Sequence, residues 1–275
     1  VSLDAAAPHI WWLLAALLPA GLFAGLIAGL FGVGGGVVIV PVLYQLLTAL
    51  GFGDTALHMA VATSLSTIIA TSFSSLNAHR KKGAVDEAVL RSWTPWVAFG
   101  AVGGAALAGL MSARGLELVF GVLGLLVAAQ FLFAREDWRL AAALPTGAVR
   151  AGIGVSLGGV SALMGIGGGA FGATLMTLCG RPIHQAVATA SGFGAAIGIP
   201  AALALIMAGW FVPGRPPLSL GYVNAPAFAA IGALTVAMAP VGARLAHRLD
   251  RSLLKRLFGA MFAVIAVKML FDAVR

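Results

Sequence analysis

A chain of 275 residues that is 60% hydrophobic and 9% charged cannot wet the surface of a soluble fold, where roughly a quarter of residues carry charge. With a mean hydropathy of +1.01, this composition excludes a cytosolic enzyme, a secreted disulfide scaffold and a disordered regulator. The net charge of +8, from 17 Lys+Arg against 9 Asp+Glu, is read as basic loops meeting anionic lipid headgroups, not nucleic acid, because no aromatic-basic stripe accompanies it.

Residues 1–9 contain Asp4 and no Lys or Arg, so they do not read as a signal peptide. Beyond them, 5–53, 55–79, 92–113, 118–134, 151–180, 182–214, 216–243 and 257–267 contain no Asp, Glu, Lys or Arg. These runs are too long for barrel strands and hold the expected helices. The first five are 10–31, 37–50, 56–78, 92–112 and 115–133; then come 145–164, 170–179, 183–210, 221–245 and 252–272. A bilayer core takes about 20 helical residues. The ten of 170–179 rise only about 15 Å, so that segment is expected as a half-helix in a re-entrant hairpin. The fold class is an all-α integral membrane protein of eight to ten helical segments, some of them broken. Cys179 is the single cysteine, so no internal disulfide can form, and His9, His58, His79, His184 and His247 include no metal-ligand spacing.

The chain repeats itself. Phe31-Gly-Val-Gly-Gly-Gly36 matches Met164-Gly-Ile-Gly-Gly-Gly169, and His58-Met-Ala-Val-Ala-Thr-Ser64 matches His184-Gln-Ala-Val-Ala-Thr-Ala190. Gly83-Ala-Val-Asp86 faces Gly221-Tyr-Val-Asn224, and Phe120-Gly121 faces Phe258-Gly259. The reading is two transmembrane repeats, 10–134 and 140–275, joined by Arg135-Glu-Asp-Trp-Arg139. Equivalent loops have opposite charge bias. Arg80, Lys81, Lys82 and Arg91 correspond to a loop holding only Arg215; a loop holding only Arg114 corresponds to Arg244, Arg248, Arg251, Lys255 and Arg256. Under the positive-inside rule these loops lie on opposite sides, which makes the repeat inverted. With the N-terminus outside, 13 basic residues fall inside and four, Arg114, Arg215, Lys268 and Arg275, fall outside.

The paired glycine-rich breaks, the His-x-Ala-Val-Ala-Thr-Ser stretch, His79 with its basic neighbours and Gly83-Ala-Val-Asp86 resemble the sulfite exporter TauE/SafE family along nearly the whole chain. The resemblance implies a permease of the bacterial cytoplasmic membrane for sulfite, organosulfonates such as sulfoacetate, and related anions. Ala190 stands where the first repeat has Ser64, so the two half-sites would bind unequally.

Physically, four glycines in five residues oppose continuous helix, at about 1 kcal/mol each relative to Ala. Unwound backbone survives in a membrane only where it is buried or lines a cavity. Each break precedes a helix start, and a helix start offers free N–H groups and about half a positive charge. Two such starts meeting near the midplane would form an anion site. The expected substrate contacts are Gly34, Gly35, Gly36, Val37, Gly167, Gly168, Gly169 and Ala170, with hydroxyls from Thr63, Ser64, Thr67, Thr189 and Ser191. His58, His184 and His79 are the candidates for proton coupling or gating. The nine acidic residues all fall at expected loops or helix ends, which argues against a cation carrier. Gly167, Gly169 and Gly172 fit a dinucleotide fingerprint by spacing alone, without the strand and acidic residue that it needs. No nucleotide-binding motif, catalytic serine motif, metal set or carboxylate pair is present, so neither an enzyme nor a cofactor is expected. The leading function is a secondary transporter, working by alternating access and in the export direction, of a small sulfur-containing oxyanion. An anion channel or a membrane subunit of a larger complex stays open, as does the oligomeric state, a homodimer included.

Overall fold

The computed structural model describes residues 18–19, 21–27, 35–133, 139–245 and 251–274, without the side chains of 243, 244, 251–255, 257 and 258. Most of the first expected helix, residues 32–34 of the first glycine break, Gly34 among them, and linker residues 135–138 lie outside these. So do Glu136 and Asp137.

Helix follows helix. In chain order the elements are α1 (Gly36–Ala49), α2 (Gly53–Lys81), α3 (Glu87–Leu110), α4 (Ala113–Phe133), α5 (Gly147–Leu163), α6 (Gly169–Leu178) and α7 (Ile183–Ala208). A two-residue hairpin, β1 (Ser219–Leu220) and β2 (Val223–Asn224), precedes α8 (Ala225–Leu245) and α9 (Arg251–Val274). Residues 21–27 are helical as well. Among the described residues five helices, α2, α3, α4, α7 and α8, are long and apolar enough to cross a membrane. The molecule is an all-α, multi-pass membrane protein.

The two element starts that differ most from the sequence reading do so for one reason. Helix α3 begins at Glu87, not at 92, because the Asp86 carboxylate accepts the Val89 N–H at 3.1 Å and caps the helix early. Helix α8 begins at Ala225, not at 221, because Gly221 turns the chain at φ 55° and the Asn224 side-chain oxygen accepts the Ala227 N–H at 3.0 Å. In both places a glycine three residues upstream (Gly83, φ 63°; Gly221) aims a capping Asp or Asn. The short α6 is ten residues long, and α1, at 14, is also too short to span.

Helices α2 and α7 form the centre. In its apolar window α2 is 78% buried, against 39% for α3 and for α4. The flanking contacts use small residues. Gly100 and Gly104 of α3 lie against the backbone of Val155 and Gly159 of α5, and Gly158 lies against Val97. Any Cβ there would strike a carbonyl oxygen, so glycine sets the approach, as expected where lipid cannot supply a hydrophobic driving force. Gly21 and Gly25 play the same part against Leu234, Thr235 and Met238 of α8. Helices α4 and α9 pack through Gly121 and Gly124, with Phe120 edge-on to Phe262 at 6.1 Å.

Candidate functional site

The two glycine breaks touch. Gly35 takes φ 75° as the N-cap of α1, and its carbonyl accepts the N–H groups of Val38 and Ile39 at 3.0 and 3.1 Å. Gly36 opens the helix so close to the second break that a Cβ would collide with the Gly165 carbonyl and lie 2.9 Å from Ser64 Oγ. Gly165 takes φ 63°. Gly168 is the N-cap of α6, and its carbonyl accepts the Gly172 N–H at 2.7 Å. Neither helix start has a side-chain cap. Gly35, Gly36, Val37, Gly167, Gly168 and Gly169 are buried, and Ala170 is partly so. Their first-turn amides therefore sit in the interior at the positive ends of two helices.

The hydroxyls of α2 and α7 stitch this junction. Ser64, fully buried, donates to the Gly165 carbonyl at 2.7 Å. Thr67 donates to the Ser64 carbonyl at 2.7 Å, and Ser191 to that of Ala188 at 2.7 Å. Ser72 donates to the Ser191 carbonyl and accepts the Ala195 N–H at 2.9 Å. Thr63 and Thr189 behave differently. Thr63 Oγ1 accepts the Asn224 N–H at 3.0 Å, and Thr189 Oγ1 accepts the Asp86 N–H at 2.9 Å. Each half thus caps the entry loop of a helix in the other. Both threonines are fully buried, and among the described residues each hydroxyl acts only as an acceptor, so its proton is left to donate. Ser64 and Thr67, grouped with Thr63 as ligand donors from sequence, give their protons to backbone carbonyls.

The three histidines separate. His58 is buried, with Nε2 3.0 Å from the Ala108 carbonyl and 3.1 Å from that of Met111, and its ring stacks on Tyr222 at 5.0 Å. Two carbonyl partners require Nε2 to carry the proton. His184 is exposed, and His79 sits part-buried in the last turn of α2.

Some polar residues of the interior were not singled out by sequence. The Ser161 hydroxyl, fully buried and five residues before Ile166 of the second break, has no hydrogen-bond partner among the described residues. Asp86, part-exposed and read from sequence only as part of the repeat, pairs with Arg181 at 3.2 Å. Glu117 stands at a helix end as read, yet it is buried, and Tyr44 donates to its Oε1 at 2.7 Å. A lone acid bordering the uncharged 118–134 run was the available signal. The sequence reading starts this helix at 115 and so keeps Glu117 at its end, whereas the helix starts at Ala113.

Comparison with known proteins agrees with this architecture. The sequence pattern of a family described as "Sulfite exporter TauE/SafE" matches residues 17–269. A "Probable membrane transporter protein" of Haemophilus influenzae is 31% identical over 243 residues, covering 87% of this chain and 91% of that one. No solved structure matches.

Proposed function

The chain belongs to the sulfite exporter TauE/SafE family, and from that premise we propose that it carries a small sulfur-containing oxyanion, sulfite, sulfoacetate or a related organosulfonate, out across the bacterial cytoplasmic membrane. It does so by alternating access between two inverted repeats, 10–134 and 140–275, with the N-terminus outside. The observation that carries the reading is the contact of the two glycine breaks, Gly36 against the Gly165 carbonyl, with an uncapped helix start following each break in the buried interior. Amides of Gly36, Val37, Gly169 and Ala170 would hold the anion, joined by the free protons of Thr63 and Thr189. Ser64, Thr67 and Ser191 hold the surrounding backbone. Partial helix charges capture an anion without the grip of a Lys or Arg, which suits a carrier that must also release it.

Radiolabelled sulfite or sulfoacetate flux into proteoliposomes tests this, with choline as the control. Saturable counterflow of the anion, lost in Thr67→Glu, is expected. Flux of choline with none of any sulfur oxyanion overturns the assignment, and flux without counterflow makes the protein a channel. Topology is tested in a Cys179-free background. Cys179 is buried and is the chain's single cysteine, so its removal leaves only the introduced thiols to label. Cysteines beside Lys81 and Arg251 should label from the cytoplasm and one beside Arg215 from outside. Labelling of the first and third from one side removes the inversion.

A further inference from the structure

We propose that Glu117 is the proton-binding group of this transporter, and that its protonation is coupled to anion occupancy of the glycine junction through Tyr44 and α1. The inference rests on the anion reading above.

Glu117 lies four residues into α4, about 6 Å from the helix start, and is 7% exposed. Among the described residues its carboxylate has no cation partner; the ion pairs there are Arg80–Glu87 and Arg181–Asp86. Its partner is a neutral phenol, Tyr44 Oη, 2.7 Å from Oε1. An ionisable group held this way in a membrane helix is costly when charged, and a bound proton removes the cost.

Tyr44 connects that carboxylate to the junction. It lies on α1, eight residues after Gly36, so the two are about 12 Å apart along the helix. Helix α1 is a 14-residue half-helix with a glycine break at its start and Gly51, at φ 88°, just past its end. Any shift of α1 that opens the junction carries Tyr44 with it and alters its bond to Glu117. A carboxylate near the anion repels it, whereas a carboxylic acid does not. One proton taken up by Glu117 on the open side, and given up when α1 moves, therefore accompanies the anion. Binding linkage makes the effect reciprocal.

The other groups facing this region are few. Helix α9 brings Asp272, which acts electrostatically on the Tyr44 phenol, and the exposed Lys268. Helix α2 brings the exposed Asp54 and His58, the latter bound to the end of α3. Its own helix brings the exposed Arg114, three residues before it.

The test measures sulfite or sulfoacetate affinity by thermal shift on purified protein from pH 4.5 to 8.5, together with proton uptake on anion addition in weakly buffered detergent solution. Wild type should bind the anion about five- to tenfold more weakly with Glu117 charged than with it protonated, the lower end of ordinary coupling between two sites. It should also take up protons when the anion is added. Glu117→Gln should hold the low-pH affinity at every pH and take up none. Tyr44→Phe, which removes a donor to the charged carboxylate, should move the midpoint to higher pH and keeps the test open if the glutamine variant misfolds. Wild type that binds no sulfur oxyanion at any pH refutes the anion reading itself. Binding with an unchanged pH profile in Glu117→Gln or Tyr44→Phe refutes the role of Glu117, and a profile abolished only by His58→Gln assigns the proton to His58 instead.

Discussion

Asp86 and Asn224 make the same bond with different chemistry. Each gives its backbone N–H to a buried threonine of the other half, and each caps its own helix through a side-chain oxygen three residues on. But Asp86 is partly exposed and paired with Arg181, whereas Asn224 is 9% exposed and neutral. Likewise Ser64 ties α2 to the second break, while Ala190 at the matching place only packs on Gly172. His58 is buried where His184 is exposed. The backbone device is present twice; the charge and the hydroxyl chemistry are not. The backbone geometry recurs in both halves of the chain, and side-chain polarity follows each location.

The largest test of that comparison lies at the glycines. Gly36→Ala drives a methyl into the Gly165 carbonyl, which cannot move without opening the second break. A loss of about 3 kcal/mol is expected, the upper range of overpacking, with folded yield in detergent collapsing. Gly168→Ala meets Ile197 Cδ1 at 2.6 Å, the end of a flexible side chain, and Phe193 Cβ at 3.0 Å. It should cost about 1–2 kcal/mol and lower transport more than yield. Equal thermal shifts for the two would mean that the junction is not tighter at α1 than at α6.

The crossed threonines come next. Thr63→Val leaves the buried Asn224 N–H without an acceptor and should cost about 2 kcal/mol, while Thr189→Val, serving the part-exposed Asp86, should cost about 1 kcal/mol. Unfolding by heat or denaturant measures both. A reversed order would sink the argument from burial.

Asp86→Asn is the mildest. It keeps the cap on Val89 and loses the Arg181 pair, whose side chains are 41% and 17% exposed. A loss of at most about 1 kcal/mol is expected, shrinking as salt is raised. A salt-independent loss would mean that the cap, not the ion pair, had been damaged.

Much of the architecture was legible because membranes punish ambiguity. Uncharged runs, an expected half-helix at 170–179 observed at Gly169–Leu178, and paired glycine breaks are all visible in one dimension. The starts of α3 and α8 were not, because charge at 86–91 masked a helix that Asp86 caps. The hydroxyl face of Thr63, Ser64 and Thr67 was visible as a stripe, but not the partners of each member. Thr63 reaches Asn224, 161 residues away, and Ser64 reaches Gly165, 101 residues away.

By itself, then, the sequence determined the solvent of this protein, the class of its elements, the positions of its broken helices and its family. Composition and local backbone preference act residue by residue, and glycine weakens a helix wherever it occurs. Only the tertiary structure decided that the two breaks meet, which hydroxyls keep a free proton, and that Glu117, at its helix end, is buried against Tyr44. Those depend on which helix lies opposite, and in a low-dielectric interior the partner of a polar group, more than its identity, sets what the group can do.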